Sequence, residues 1–565
     1  MFGQSEVLVA PIEEQPYIQH CHVQKTCSVG SVIGLDLTNE AITGGRDNLS
    51  SLFNLQNLRK LSLAHNNFNG SQIPSEFEKM TNLNYLNLSN AGFAGQIPVE
   101  ISCLTRSVSL DLSSVYFSDT TTLKLENSSL NVLIQNLTEL VELNLDGVNI
   151  SAQGNQWCQA LSSSLPNLRV LSLSNCYLSG PIDSTLLKLQ SLSIICLDNN
   201  NLSTPIPEFF ANFTNLTSLR LSSSGMRGTF PRKIFQVPTL EILDLSNNRL
   251  LHGPLPDFPQ NGSLRTLVLS NTDFSGILSD SIRGQLPKSL ANCTDLEVLN
   301  IGNNLIKDFF PCYLKNTSIL HVLVLQSNNF SGHIGRSEPN AIWPMLQIVD
   351  VASNNFTGKL PKISMWKAMM DDENEAQSDL NHLQFEVLRY NQFYYQDTIT
   401  VTSKGLDMEP NSIISGKLDS ARVIRLSINK LTGEILEELV DGLIFLSFLN
   451  ISNNQLVGRI PEVKQFATFS EDSYTGNKGL CGFPLKVKCG GNVSPPAPKS
   501  RDSSSTMLIG FDWQFIVTGL GFGVGAAVVV APLMFWEKGR RWYDESIDKI
   551  LQVQVHQPKR GGMRT

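Results

Sequence analysis

The chain has 565 residues, 41% of them hydrophobic, and a formal net charge of −8. Such a balance excludes a polybasic nucleic-acid binder. Its ten cysteines fit an oxidising compartment better than a metal centre, because no two close pairs of them converge.

Residues 1–31 read as a degraded N-terminal leader and cap. Val7 to Ile12 is shorter than a secretory apolar core and is broken by Pro11, so an incomplete gene model or a truncated non-functional paralogue stays open as a reading. Cys21 and Cys27 precede the first strand.

From residue 32 to 361 one pattern recurs: Leu-x-x-Leu-x-Leu-x-x-Asn, then Gly, then Ile-Pro or a close variant. Units open at Leu58, Leu83, Leu140, Leu168, Leu192, Leu216, Leu240, Leu264, Leu296, Leu320 and Leu346, and five of the steps are 24 residues. Weaker copies at Ser107, Ala421 and Leu446 bring the count to fourteen. A period of 20–29 with these leucines is the leucine-rich repeat, whose units cannot bury an apolar face alone and must stack. The expected fold is an α/β solenoid; the Gly and Ile-Pro spacing resembles the plant-specific subclass of these repeats, which implies a right-handed plant-type superhelix with disulfide caps, followed by one transmembrane helix.

Within a unit, Leu243-Asp244-Leu245 alternates, so the leucines point into the solenoid and Asp244 points away. Outward residues of this kind, namely Arg220, Asp244, Arg265, Asn300, His321, Gln326 and Asp350, are the expected ligand-contact surface. Asn200, Asn248, Asn304, Asn328 and Asn354 sit where the chain leaves the strand, where a buried amide can satisfy backbone groups. Cys176 fills that slot in one unit, and Cys293 and Cys312 flank another on the far side, where a bridge between them stays open.

Sixteen Asn-x-Ser/Thr sequons suggest a glycosylated exterior: Asn48, Asn69, Asn87, Asn127, Asn136, Asn149, Asn201, Asn212, Asn215, Asn261, Asn292, Asn316, Asn329, Asn355, Asn450 and Asn492. A repeat rich in Asn, Ser and Thr also makes such triplets by composition alone.

Residues 362–420 lose the leucine period and form an island insertion, acidic at Asp371 to Glu375 and aromatic at Tyr390 to Tyr395. Its β-branched second half, ending in Val401-Thr402-Ser403-Lys404-Gly405-Leu406, predicts a hairpin or strand. Repeats resume over 421–469. Residues 470–490 hold Cys481 and Cys489, which suit a disulfide-tied cap over the exposed end of the stack.

A juxtamembrane stalk, 491–514, leads to Phe515 to Trp536, 22 residues without a charge. At ~1.5 Å per residue this segment crosses a ~30 Å hydrocarbon core. Lys538, Arg540 and Arg541 follow, which places the tail 537–565 in the cytoplasm and the repeats outside the plasma membrane. Gly519, Gly521, Gly523 and Gly525 offer a close-packing face for a second helix. The tail is too short for a kinase, and no catalytic, cofactor or metal constellation is present, His321 being a lone ring; the chain is not expected to be an enzyme.

The order of cysteine cap, plant-type repeats, island ending in Val-Thr-x-Lys-Gly-Leu, further repeats, Leu-Cys-Gly-Phe-Pro-Leu cap, membrane helix and short tail resembles the plant leucine-rich-repeat receptor-like proteins of the pathogen-resistance type. That resemblance implies a kinase-lacking cell-surface receptor for a peptide or protein ligand, working with a transmembrane receptor-like kinase adaptor and a co-receptor. It implies a co-receptor role for Lys404 and Gly405 and adaptor pairing for the four glycines. Two departures stand out: no aromatic residue lies between Cys21 and Cys27, and only two units follow the island. An extracellular enzyme inhibitor is the alternative, against which the membrane segment counts.

Overall fold

The computed structural model describes residues 22–25, 32–44, 49–114, 122–125, 130–274, 285–335 apart from 318, 342–361, 366–369, 402–403, 406–407, 422–435 and 446–489 apart from 463–465 and 467. The stalk, the membrane segment 515–536 with its four glycines, and the tail lie outside these residues. Among the described residues no helix is long and apolar enough to cross a membrane.

A 16-stranded sheet runs through the repeats. Its first pair, His22–Lys25 with Val32–Asp36, is antiparallel, and the fourteen strands after it, one per predicted unit, are parallel in sequential order. Leucines set this register. Leu219, Leu243 and Leu267 are direct partners on adjacent strands, each fully sealed from solvent. The long step from Leu264 to Leu296 adds a single strand, since Thr266–Val268 pairs with Val298–Asn300 directly.

Each strand ends in the same turn. Asn247 takes a left-handed backbone at φ 58°, as do Asn175, Asn199, Asn271, Asn303 and Asn453 at the equivalent place. The next residue, Asn248, then turns inward: Nδ2 donates to the carbonyls of Leu221, Leu245 and Ser246, and Oδ1 accepts from the Met226 N–H at 2.8 Å. Asn200, Asn304, Asn328 and Asn354 repeat the pattern, so each unit's turn satisfies backbone groups of the unit before it. Cys176 does the same with a thiol, 3.0 Å from the Leu145 carbonyl.

The Gly and Ile-Pro half of the motif forms the second strand. It gives a five-stranded sheet from Ser331–Gly332, Asn355–Gly358, Lys430–Glu434, Gln455–Arg459 and Gly479–Cys481, and smaller sheets earlier in the chain. Gly358 has φ 87°, and a Cβ there would come 2.1 Å from His333 Cδ2, so only glycine fits. The proline that follows sits extended before a short 3-10 helix, as Pro74 does before Ser75–Lys79 and Pro98 before Val99–Cys103.

The insertion does not break the stack. Ile348 pairs with Val423 across it in the main sheet, and Thr357 with Lys430 in the second. Thr402–Ser403 and Leu406–Asp407 pair antiparallel, in keeping with the expected hairpin, while Lys404 and Gly405 lie outside the described residues. Cys481 and Cys489 are joined at the C-terminal end, with Cα atoms 5.1 Å apart. Cys21 and Cys27 lie outside the described residues. Cys293 and Cys312 are free thiols, so the bridge left open between them is not made.

Candidate recognition face

Strand alternation gives the main sheet a second face, opposite the leucine core. One column of it runs in register through Asp111, Asn144, Ser172, Cys196, Arg220, Asp244, Val268, Asn300, Val324, Asp350, Arg425 and Asn450. The acids and amides in this column are structural. Asp244 Oδ1 accepts from the Ser246 N–H at 3.0 Å and its hydroxyl at 2.7 Å. Asn300 does likewise for Gly302 and Asp350 for Ala352. Asp244, Asn300 and Asp350 are 2–4% exposed. The expectation that these three present their side chains outward is therefore corrected: each closes the turn two residues on.

The other four predicted contacts are half-buried. Arg220 Nε lies 3.1 Å from Asp198 Oδ2, and Arg265 donates to Glu297 Oε1 through Nε at 3.1 Å and Nη2 at 2.6 Å. His321 follows Glu297 in the adjoining column, and burial lowers its pKa below the ordinary 6.5, partly opposed by Glu297. Gln326 stands beside Gly302 one strand over.

Sequence reading missed an apolar group on this face. Val298, Val322, Ile348 and Val423 occupy one register column, and with Val324 they form a cluster separate from the leucine core, with Phe448 packed against it. The Arg425 guanidinium lies 5.6 Å from the Phe448 ring centroid and 3.3 Å from Asp350 Oδ2. Burial raises the Asp350 pKa, and Arg425 pulls it back. The signal was the branched residue just before the second leucine in four consecutive units. The five residues of the cluster are 1–3% exposed, so the strip packs the sheet, and the half-buried charged groups beside it are the ones an extended chain with ionic groups could reach.

Among the described residues no group of three His, Cys, Asp or Glu side chains is placed to hold a metal. Of the sequon asparagines, Asn69, Asn136, Asn201, Asn212, Asn215, Asn261 and Asn329 are exposed; Asn87, Asn149, Asn292, Asn355 and Asn450 are half-buried. Asn87 and Asn450 lie on the main sheet, where they accept from the Ser89 and Ser452 N–H groups. Asn48, Asn127 and Asn492 fall outside the described residues, as does the Asn316 side chain.

A Leucine Rich Repeat family model matches residues 57–80, 167–189, 191–213 and 239–261. Receptor-like protein 6 of Arabidopsis thaliana is 33% identical over 260 residues, covering 46% of this chain and 21% of that protein. Receptor-like protein 18 of the same plant is 30% identical over 425 residues, covering 67% of this chain and 46% of that protein. The chain thus spans less than half the length of these two curated relatives. Among solved structures, the plant peptide hormone receptor RGFR1 in complex with RGF2 superposes with a TM-score of 0.51 at 22% identity, covering 81% of this chain and 64% of that one. At that identity the likeness bears on fold alone.

Proposed function

For this chain, a plant leucine-rich-repeat receptor-like protein, we propose a role as a cell-surface receptor that recognises an extracellular peptide or protein, in plant defence. The observation that carries this reading is the second face of the main sheet, where half-buried Arg265, paired with Glu297, and Arg425, paired with Asp350, border a packed strip at Val298, Val322, Ile348 and Val423. Arg220, Arg265, His321 and Gln326 supply the half-buried polar contacts. In this reading the repeats face outward at the plasma membrane, residues 515–536 cross it, and the exposed sequons carry glycans. The chain in this reading signals through receptor-like kinase partners, an adaptor on the four helix glycines and a co-receptor near Lys404 and Gly405.

The test is capture of peptides from plant extracellular fluid by the full chain in detergent, read by mass spectrometry. A discrete peptide retained by wild type and lost by the Arg220→Ala/His321→Ala double variant supports the reading. Equal retention by both variants, or none by either, contradicts it.

A further inference from the structure

The N-terminal third of the recognition face carries acids that the proposed ligand contacts do not use. Asp111 and Asn144 are direct register partners on adjacent strands, Ser109–Asp111 and Glu142–Asn144, which lie about 4.8 Å apart. Both are almost sealed from solvent, at 3% and 2% exposed. Asp111 Oδ1 accepts from the Ser113 N–H at 3.0 Å and from its hydroxyl at 2.7 Å. Asp111 Oδ2 and Asn144 Oδ1, however, are buried and have no hydrogen-bond partner among the described residues. Nearby hydroxyl donors are engaged elsewhere: Ser109 donates to Glu142 Oε2 at 2.9 Å, and Ser172 to both oxygens of Asp146.

Two sealed acceptors side by side, with no donor to either among the described residues, leave a buried carboxylate only half satisfied, an arrangement that proteins avoid. The charged and titratable groups facing Asp111 add to the conflict. Tyr85 lies on the preceding strand, and Glu142 and Asp146 lie on the following unit; among the described residues none of these is cationic. A single proton removes it. We propose that Asp111 is held as the neutral acid in the folded protein and donates Oδ2–H to Asn144 Oδ1, so that this pair is a proton-operated switch for the charge of the face. In the acid form both orphan acceptors are satisfied at once. On deprotonation the same spot gains a negative charge beside Glu142 and Asp146, with no movement of the strands required. Consistent with this geometry, burial is the largest of the influences that raise the Asp111 pKa to about 6.

The consequence is chemical. A ligand with a cationic group over this third of the sheet is held better above the transition than below it, while an uncharged ligand does not discriminate. The inference does not rest on the identity of any ligand.

Isotope-edited infrared spectroscopy of the full chain in detergent, labelled at aspartate and titrated from about pH 4 to about pH 8, tests it. The protonated-carboxyl signal is expected to persist above the ordinary aspartate range, and Asp111→Asn, a neutral isostere, to remove one residue's worth of it. Two further variants are expected to move the midpoint in opposite directions. Asn144→Leu lowers it by taking away the acceptor of the acid proton, and Ser113→Ala raises it by taking away the hydroxyl donor to the carboxylate, the backbone N–H remaining. Circular dichroism confirms that each variant is folded. An unchanged signal in Asp111→Asn overturns the proposal. So does a raised midpoint in Asn144→Leu, because that result means Asn144 donates its amide N–H to an ionised Asp111.

Discussion

Asn200 Oδ1 accepts hydrogen bonds from the backbone N–H groups of Cys176 and Leu178, at 3.1 and 2.9 Å, although those residues belong to the preceding unit. Its Nδ2 donates in turn to Leu173 and Leu197, one carbonyl in each unit. One side chain therefore joins two units that contribute little stability separately.

Asn200→Ala orphans two buried N–H groups at about 1–3 kcal/mol each, and a loss near 3 kcal/mol is expected. Because stacked repeats depend on nearest neighbours, urea unfolding should also split into two transitions, one for each side of the break. A single transition at the wild-type midpoint would count against the ladder.

Ile428 is the one β-branched residue at this turn among the described units. Its φ is 53°, where the equivalent residues are mostly asparagine, serine or glycine, and the side chain is 55% exposed. A β-branched residue in the left-handed region is strained by roughly 1–3 kcal/mol. Ile428→Asn should therefore stabilise the chain by about 1 kcal/mol in chemical denaturation. A destabilised variant would show that the isoleucine makes a contact outweighing its backbone strain.

The Cys481–Cys489 bridge closes a short loop, with a sequence separation of 8, at the last strand of the second sheet. Replacing both by serine should cost about 2–3 kcal/mol. The loss should be local: amide exchange should rise first at Gln455–Arg459, which pairs with Gly479–Cys481. Uniform acceleration throughout the repeats would contradict that.

Asp146 supplies a pH prediction. Its carboxylate accepts from Ser172 and from the Ser174 N–H, yet burial, with help from Asp198, raises its pKa from 3.8 to about 6. The folded chain thus binds this proton more tightly than the unfolded chain does. Stability from this group is fully present below 3.8 and is lost as the pH rises to about 6. Asp146→Asn should flatten that part of the profile, measured as melting temperature against pH. An unaltered slope would mean that burial does not govern the protonation of this carboxylate.

Much of this architecture is legible in the leucines, because fourteen units repeat one constraint and an error in one is corrected by the next. The Asn ladder and the glycine turn are legible for the same reason. The recognition face is harder to read. Alternation says that Asp244 leaves the core, but neighbouring strands on the same face bury it again, and Ser246 two residues on draws its oxygen back to the backbone. A reading of Leu-Asp-Leu-Ser as a turn closure would have found this. The valine strip needs strand register to be seen, since Val298, Val322, Ile348 and Val423 are consecutive in space and far apart in the chain.

The central claim, a receptor whose repeats stand outside a plant cell, is tested most directly by surface labelling. A full chain carrying a C-terminal epitope tag is expressed in plant cells, treated intact with a membrane-impermeant biotin reagent and then with an N-glycosidase. The account predicts biotin on the repeat segment, a mobility shift on deglycosylation, and a tag reached by antibody only after permeabilisation. An unlabelled, unshifted chain would contradict it.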